Sequence, residues 1–499
     1  MDSLFAALAA DLNADLTRVA LTTDTHAFTR AELLAGSAQY ANALAAEGVV
    51  AGDRVVVQVE KSVAALLTYL GCLRLGAVYV PLNTAYTVHE ADYFLGDAEP
   101  RVVICEAGKL DPLRTAARAR GIAGTLPIDG ADSLQTRAVT AVTHRVDSEP
   151  PELAAILYTS GTTGRSKGAM LTQRNLLSNA RTLVELWGCT STDVLIHTLP
   201  IYHVHGLFVA LHTALLSGAK VLFHSRFDAA AVLRAMPSAT LFMGVPTYFT
   251  RLLEEPGLNA AACANMRLFI SGSAPLRPET FTEFQSRTGH VILERYGMTE
   301  AGMITSNALH GLRTAGSVGK LLPGVEARVS IDGVPHAAGG PGVLQIRGPN
   351  VFEGYWRQPE KTREEFTAEG FFVTGDVAEI DAQGVVTLTG RAKDLIICGG
   401  LNVYPKEIEL VIDSLPGVEE SAVIGVPHPD FGEAVVAVIK ALPGASLVPD
   451  EIVGVLRAQL ANFKLPKHVA VVDELPRNAM GKVQKNMLRE HYVGLFTAS

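Results

Sequence analysis

With 499 residues the chain is longer than one hydrophobic core usually covers, so at least two domains are expected. A hydrophobic content of 48% against 19% charged residues excludes a disordered chain, and a formal charge of -9 argues against a surface built to coat nucleic acid. The 5 cysteines are scattered without a CxxC pair, which excludes a disulfide scaffold and a cysteine zinc site and points to reduced thiols in the cytoplasm.

No apolar run reaches the roughly 20 residues that span a bilayer, so no membrane partner is expected. The opening MDSLFAALAADLNADL has helical apolar spacing but Asp where a targeting leader carries Lys or Arg. Beyond it, residues 29–47 and 62–75 read as helices, and 53–59, 77–82 and 101–105 as strands. The alternation continues with strands at 194–199, 220–223, 240–245, 267–271 and 291–294, which predicts βαβ units and largely parallel sheets. Ligands gather at the carboxyl ends of such strands.

From 316 to about 390 the helical pattern fades into short runs (343–347, 371–374, 385–388) between Gly, Pro and Asp turns, which reads as a small β-barrel-like subdomain. The last stretch mixes helices at 405–414, 449–460 and 484–492 with strands at 421–426 and 434–440. The expected architecture is therefore α/β. A large N-terminal domain of parallel sheets with the barrel-like piece spans 1–390, and a small mobile α+β domain spans 391–499.

One segment stands apart. The apolar run 154–157 breaks into YTSGTTGRSKG, residues 158–168, a loop leaving a buried strand. Thr159, Ser160, Thr162 and Thr163 offer hydroxyls, Gly161 and Gly164 let backbone N–H groups approach a ligand, and Lys167 adds a positive charge. These residues suit phosphate. The spacing is not that of a Walker A loop. The string resembles the phosphate-binding loop of the adenylate-forming superfamily, which includes the acyl-CoA synthetases.

Four further segments carry the resemblance across the chain: SGSAPL (271–276), RYGMTE (295–300), TGD (374–376) with GRAKDLIICGGLNVYP (390–405), and LPRNAMGKVQK (475–485). It implies that Ser273, Ala274 and Pro275 wall an adenine site where Tyr296 stacks on the base, with Glu294, Gly297 and Met298 beside it. It further implies that Thr299 donates to the α-phosphate and Glu300 holds Mg²⁺, for which a carboxylate is a suitable hard ligand. By the same resemblance Asp376 and Arg391 take the ribose, Lys393 is the hinge and Gly400 meets the pantetheine arm of coenzyme A. Lys482 is then the catalytic lysine, acting with Glu300, Thr159 and Lys167. Acylation of Lys482 by lysine-modifying enzymes would remove its charge.

Arg295 is the informative departure, because relatives that activate fatty or aromatic acids often carry glycine there. A guanidinium at the acyl end suits a substrate with a second carboxylate, although Arg295 could instead pair with Glu294 or Glu300. The stretches 201–208, 243–253 and 268–276 resemble the malonate-activating branch of the superfamily. That likeness implies an acid site bordered by His203, His205, Ser273 and Arg295, with Arg251 a second cation. Val204 and Met303 would set tolerance for methylmalonate. His203 and His205 alternate across a strand or turn, so one of them is expected to face the pocket. The implied reaction joins malonate to coenzyme A at the expense of ATP through malonyl-AMP. A different small acid and a non-catalytic nucleotide-binding relative are the alternatives.

Overall fold

The helices predicted over 29–47 and 62–75 form as Arg30–Ala46 and Val63–Leu75. Thr29 and Glu32 close a capping box and Ser62 accepts from the Ala65 amide, so first-turn donors that lack intrahelical partners are satisfied. Gly76 ends the second helix in the left-handed region at φ 73°, where a glycine pays no Cβ penalty. The computed structural model describes residues 3–144, 151–159, 166–331, 333–336, 340–398, 401–428, 431–460, 462–478 and 481–496. They fall into two compact units. One comprises Met1–Glu326 and Ile346–Phe372, the other Ala327–Gln345 and Val373–Ser499.

In the first unit a 6-stranded sheet runs in the order Gly124–Pro127, Val102–Cys105, Arg54–Gln58, Val78–Pro81, Leu153–Thr159, Lys167–Thr172. All neighbours are parallel except the last pair, an antiparallel hairpin that sets Thr159 opposite Lys167. Val102–Cys105 is buried along its whole length, the pattern of a strand covered on both faces.

A second sheet in this unit places Val19–Thr22, Lys220–Phe223, Val194–His197, Leu241–Gly244, Leu268–Ser271 and Leu293–Met298 side by side, all parallel. Gly302–Ser306 then adds antiparallel to Leu293–Met298. Behind the centre of this sheet Phe242, Phe249, Phe269 and Phe284 meet edge to face, with ring centroids 4.9 to 6.4 Å apart. Such pairs contribute roughly 0.5–1.5 kcal/mol each beyond area burial, and they hold rigid the strand that ends at Ser271.

The sequence predicts a strand ending at Glu294, but the strand runs on to Met298. Its register shifts between Tyr296 and Gly297, and a Cβ on Gly297 would lie 2.2 Å from the Gly302 carbonyl oxygen. Only glycine allows the hairpin to close there, so pairing with Gly302–Ser306 overrides the apparent loop composition.

The strands that lie mostly in the second unit are ordered Val334–His336, Glu326–Ile331, Gly342–Arg347, Phe372–Ile380, Val385–Arg391. A 5-stranded sheet follows, with Val418–His428 antiparallel and His468–Val472 parallel to Gly432–Ala441. Its core joins Ile408 and Ile412 of the helix Pro405–Asp413 to Val435, Ile439 and Leu456. Among the described residues no helix is long and apolar enough to cross a membrane.

Candidate active site

The hairpin base that carries the predicted phosphate loop is anchored on three sides. Tyr158 donates to Asp97 Oδ2 at 2.6 Å, the Trp356 indole donates to the Asp97 carbonyl at 3.0 Å, and Tyr93 donates to the Ser166 carbonyl at 2.7 Å. Ser160, Gly161, Thr162, Thr163 and Gly164 lie outside the described residues, as does Gly400. The side chains of Arg391 and Lys393 are likewise outside them.

At the foot of the loop Lys167 is 7% exposed, and its ammonium lies 2.6 Å from Glu365 Oε1 and 4.2 Å from the centroid of the Tyr355 ring. Its charge is therefore already balanced within the protein. The Tyr355 hydroxyl stands 2.7 Å from Glu365 Oε2 and 3.2 Å from Glu300 Oε1. Having one proton, it serves the nearer oxygen better. Glu300 also accepts from Thr159 Oγ1, but only at 3.4 Å. Burial pushes the Glu300 carboxyl up, and the neighbouring Glu365 adds to the rise. A buried carboxylate so weakly compensated fits a hard cation such as Mg²⁺. Among the described residues no group of three or more His, Cys, Asp or Glu could hold a metal alone. An ion there would take its remaining ligands from substrate and water.

Arg295 stands on the strand Leu293–Met298, is 3% exposed, and keeps Nε and Nη2 without a hydrogen-bond partner among the described residues. Burial pulls its pKa down to about 9, so it remains charged at neutral pH. It does not pair with Glu294, whose Oε1 accepts from the Gly316 amide at 3.0 Å and whose carboxyl burial pushes up to about 7. Ser273 follows the neighbouring strand in the left-handed region at φ 73°, a costly conformation for a serine. Its Oγ lies 3.2 Å from His205 Nδ1. His205 Nε2 is buried without a hydrogen-bond partner among the described residues, and burial followed by the Arg295 charge holds the imidazole well below its usual pKa, hence neutral.

His203 and His205 do not alternate along a strand. His203 sits at a bend and His205 opens the π-helical turn His205–Leu211, where it meets Ser273. Val204, Thr299 and Gly302 border a small crevice also lined by Asn175, Asn179 and Asn350. Asn179 brackets Met303 through its backbone, donating to the carbonyl at 2.8 Å and accepting from the amide at 3.0 Å. Tyr296 is buried, Ala274 and Pro275 are exposed at the end of the neighbouring strand, and Arg251 is exposed on the helix Pro246–Leu253.

In the second unit Asp376 pairs directly opposite Arg391 across the hairpin of Phe372–Ile380 and Val385–Arg391. The fifteen-residue spacing thus becomes adjacency. Lys393 lies in the short helical turn Ala392–Asp394, which Arg489 ties to the helix Lys485–Tyr492 through Asp394. Lys482 is exposed in a loop closed by Lys482 N–H to Asn478 Oδ1 at 3.0 Å and Asn478 N–H to the Lys482 carbonyl at 2.9 Å.

Residues 9–356 match the AMP-binding enzyme family, and residues 407–482 match the AMP-binding enzyme C-terminal domain. The chain belongs to the AMP-binding enzymes. It is 35% identical to a malonate–CoA ligase of Arabidopsis thaliana, over 89% of this chain and 78% of that protein. It is 36% identical to a feruloyl-CoA synthase of Amycolatopsis, over 93% and 94%. Among solved structures, ATP-bound MatB from Rhodopseudomonas palustris is 52% identical with a TM-score of 0.96, covering 99% of each chain. MenE from Bacillus subtilis in complex with AMP is 28% identical with a TM-score of 0.86.

In this AMP-binding enzyme the residues that sequence reasoning missed are Tyr355, Glu365 and the three asparagines of the crevice. Glu365 belongs to the helix Pro359–Glu365, whose PEKTREE sequence has the charge pattern of a solvated surface. The GYW string at 354–356, with a glycine and two aromatics beside a charged helix, was the available signal.

Proposed function

We propose that the protein activates malonate as malonyl-AMP and transfers the malonyl group to coenzyme A. The observation that carries the choice of acid is the Nε–Nη2 edge of Arg295, two donors on one side of a buried guanidinium with no acceptor among the described residues. A carboxylate accepts two parallel N–H bonds in that arrangement, and each charged hydrogen bond contributes roughly 1.5–3 kcal/mol. A monocarboxylic acid spends its only carboxylate on the phosphorus and leaves this edge bare. A short diacid fills both places. The Arabidopsis relative named malonate–CoA ligase supports the same acid, and the likeness to ATP-bound MatB supports the use of ATP.

In the first step a malonate carboxylate oxygen attacks the α-phosphorus of ATP, the α–β anhydride bond breaks and pyrophosphate leaves. Thr159 and Thr299 supply hydroxyl donors, and the ammonium of Lys482 offsets charge on the reacting oxygens. Mg²⁺ held by Glu300 would neutralise phosphate charge. In the second step the coenzyme A thiol loses its proton to solvent, its sulfur attacks the malonyl carbonyl, the C–O bond to phosphate breaks and AMP leaves. The thiol belongs to the substrate, and the chain's own Cys72, Cys105, Cys189, Cys263 and Cys398 are free and buried. Free thiols fit a reducing compartment, and we assign the reaction to the cytoplasm. The exposed Lys482 is open to acylation, which would silence the first step.

The test is a pyrophosphate-release and thioester assay with ATP, Mg²⁺ and coenzyme A over malonate, methylmalonate, acetate and ferulate. Malonate is expected to exceed acetate at least about ten-fold in kcat/KM, as two charged hydrogen bonds allow. Preference for acetate overturns the choice of acid. Preference for ferulate would favour the second reading, motivated by the feruloyl-CoA synthase relative.

A further inference from the structure

Beside the acid pocket lies a buried cation that the chemistry above does not use. Lys61 follows the strand Arg54–Gln58, precedes the cap Ser62, and is 7% exposed. Its ammonium lies 2.6 Å from His197 Nδ1, 2.8 Å from the His197 carbonyl oxygen, and 4.4 Å from the centroid of the Phe223 ring. His197 ends the strand Val194–His197 and is itself fully buried. Its Nε2 lies 2.9 Å from the carbonyl oxygen of Gly206.

These contacts admit one arrangement of protons. A carbonyl only accepts, so His197 Nε2 carries hydrogen and Nδ1 presents its lone pair. Burial pulls the Lys61 pKa well below its usual value, yet Nζ carries N–H donors in either protonation state, so Lys61 is the partner that this Nδ1 requires. A doubly protonated ring would turn Nδ1–H against the ammonium. Consistently, burial and then the Lys61 charge hold His197 well below its usual pKa.

Gly206 is the residue after His205 in the π-helical turn His205–Leu211, and no side chain caps the start of that turn. A Cβ on Gly206 would fall 2.0 Å from the Pro200 carbonyl oxygen, so its backbone is pressed against Pro200 and hydrogen-bonded to His197. The adjoining His205 directs Nδ1 to Ser273 Oγ at 3.2 Å.

We infer that Lys61 and His197 are positioning residues for the acid: Lys61 locks the His197 tautomer, His197 pins Gly206, and the pinned turn aims the His205 imidazole into the pocket of Arg295. Without Lys61 the ring is free to move its proton to Nδ1, which sets two lone pairs against each other at Gly206 and loosens the first turn. The inference rests on reading the Arg295–His205 pocket as the place of the acid.

The test compares Lys61→Met, the double variant Lys61→Met/His197→Gln, and His197→Asn, by KM for the acid, KM for ATP and thermal unfolding. The loss of one buried, charge-assisted hydrogen bond corresponds to about a ten-fold rise in acid KM for Lys61→Met, with KM for ATP unchanged. Glutamine donates from its carboxamide whatever stands at 61, so the double variant should regain most of the acid affinity. Asparagine keeps an acceptor for Lys61 but is too short to donate to Gly206, and His197→Asn should match Lys61→Met. Should Lys61→Met fail to fold, His197→Asn decides alone.

An acid KM within two-fold of the parent for Lys61→Met or His197→Asn overturns the inference. So does failure of glutamine to rescue, or an equal rise in KM for ATP. The series is run on whichever acid the parent turns over best. A parent that ignores malonate therefore sinks the proposed substrate while still deciding the role of Lys61.

Discussion

Gly272 lies flat against Arg295, so closely that a Cβ at Gly272 would stand 2.2 Å from Nη1 and 2.3 Å from Cζ. The glycine follows the strand Leu268–Ser271, whose Ser271 pairs with Glu294 just before Arg295. The neighbouring strand thus sets the guanidinium's place from one side. Because Arg295 is buried, the side chain has nowhere to retreat without giving up its aim. Gly272→Ala is expected to raise KM for malonate about ten-fold or more while KM for ATP stays within two-fold, since overpacking costs roughly 1–3 kcal/mol and falls on the acid site alone. Unchanged malonate kinetics in a folded variant would show that Arg295 does not grip the acid.

Tyr355 couples Glu300 to the Lys167–Glu365 pair through a single hydroxyl. Tyr355→Phe keeps the ring under the Lys167 ammonium and removes only that hydroxyl. The expected cost is about 1 kcal/mol of stability, with a fall in kcat of roughly ten-fold and a higher Mg²⁺ requirement. Glu365→Gln is the harsher change, because it strands a lysine that is 7% exposed. Breaking a fully buried pair costs roughly 3–5 kcal/mol; with Glu365 partly open to water about 2–3 kcal/mol is expected in denaturant unfolding. A Glu365→Gln protein as stable as the parent would mean that Lys167 finds another anion.

Much of this was legible in the sequence because local chemistry and tertiary structure agree there. Thr29, Ser62 and Gly76 mark helix ends by capping rules that need no partner. Most of the apolar runs became parallel strands within a residue or two of their expected limits, as for Lys220–Phe223 and Leu268–Ser271, while 291–294 ran on to Met298. What stayed hidden depends on contacts far apart in the chain. Lys167 and Glu365 are 198 residues apart, and no spacing rule ties a strand lysine to a glutamate in a charged surface helix. The π-helical turn at His205 was hidden for another reason. Its apolar residues LFVAL carry no periodicity that separates a strand from a helix over so short a run. Of the strand or turn expected to carry His203 and His205, a bend and a helical turn form.

Glu294 gives the protein a pH dependence near neutrality. Burial raises its carboxyl from an ordinary 4.5 to about 7, and the hydrogen bond from Gly316 offsets only part of the rise. Between these limits the folded chain holds a proton that the unfolded chain has released, so stability falls as pH climbs through this range and stays lowered above it. Glu294→Gln keeps an acceptor for the Gly316 amide but cannot ionise. It should match the parent near pH 4.5 and be the more stable by about 2–3 kcal/mol above pH 7 in denaturant titrations. A constant difference at every pH would assign the effect to packing.

In the proposed mechanism Lys482 acts in the first half-reaction alone. The loop that carries it is closed by the paired Asn478 contacts and by the bridge between Arg477 and Val483, none of which uses the Lys482 side chain. Lys482→Ala should therefore keep this loop closed while removing the ammonium, which thermal unfolding of the variant checks. Removing one charged group aimed at a developing oxyanion typically costs about 10²–10³ in rate, so formation of malonyl-AMP should fall by at least that factor. Thioester formation from supplied malonyl-AMP and coenzyme A does not need the ammonium, and it should stay within a few-fold of the parent. Asn478→Ala, which loosens the loop but keeps the charge, should lower the first rate by less and leave the second alone. Equal losses in both half-reactions for Lys482→Ala would move the lysine from adenylation chemistry to a role shared by both steps, such as holding the nucleotide.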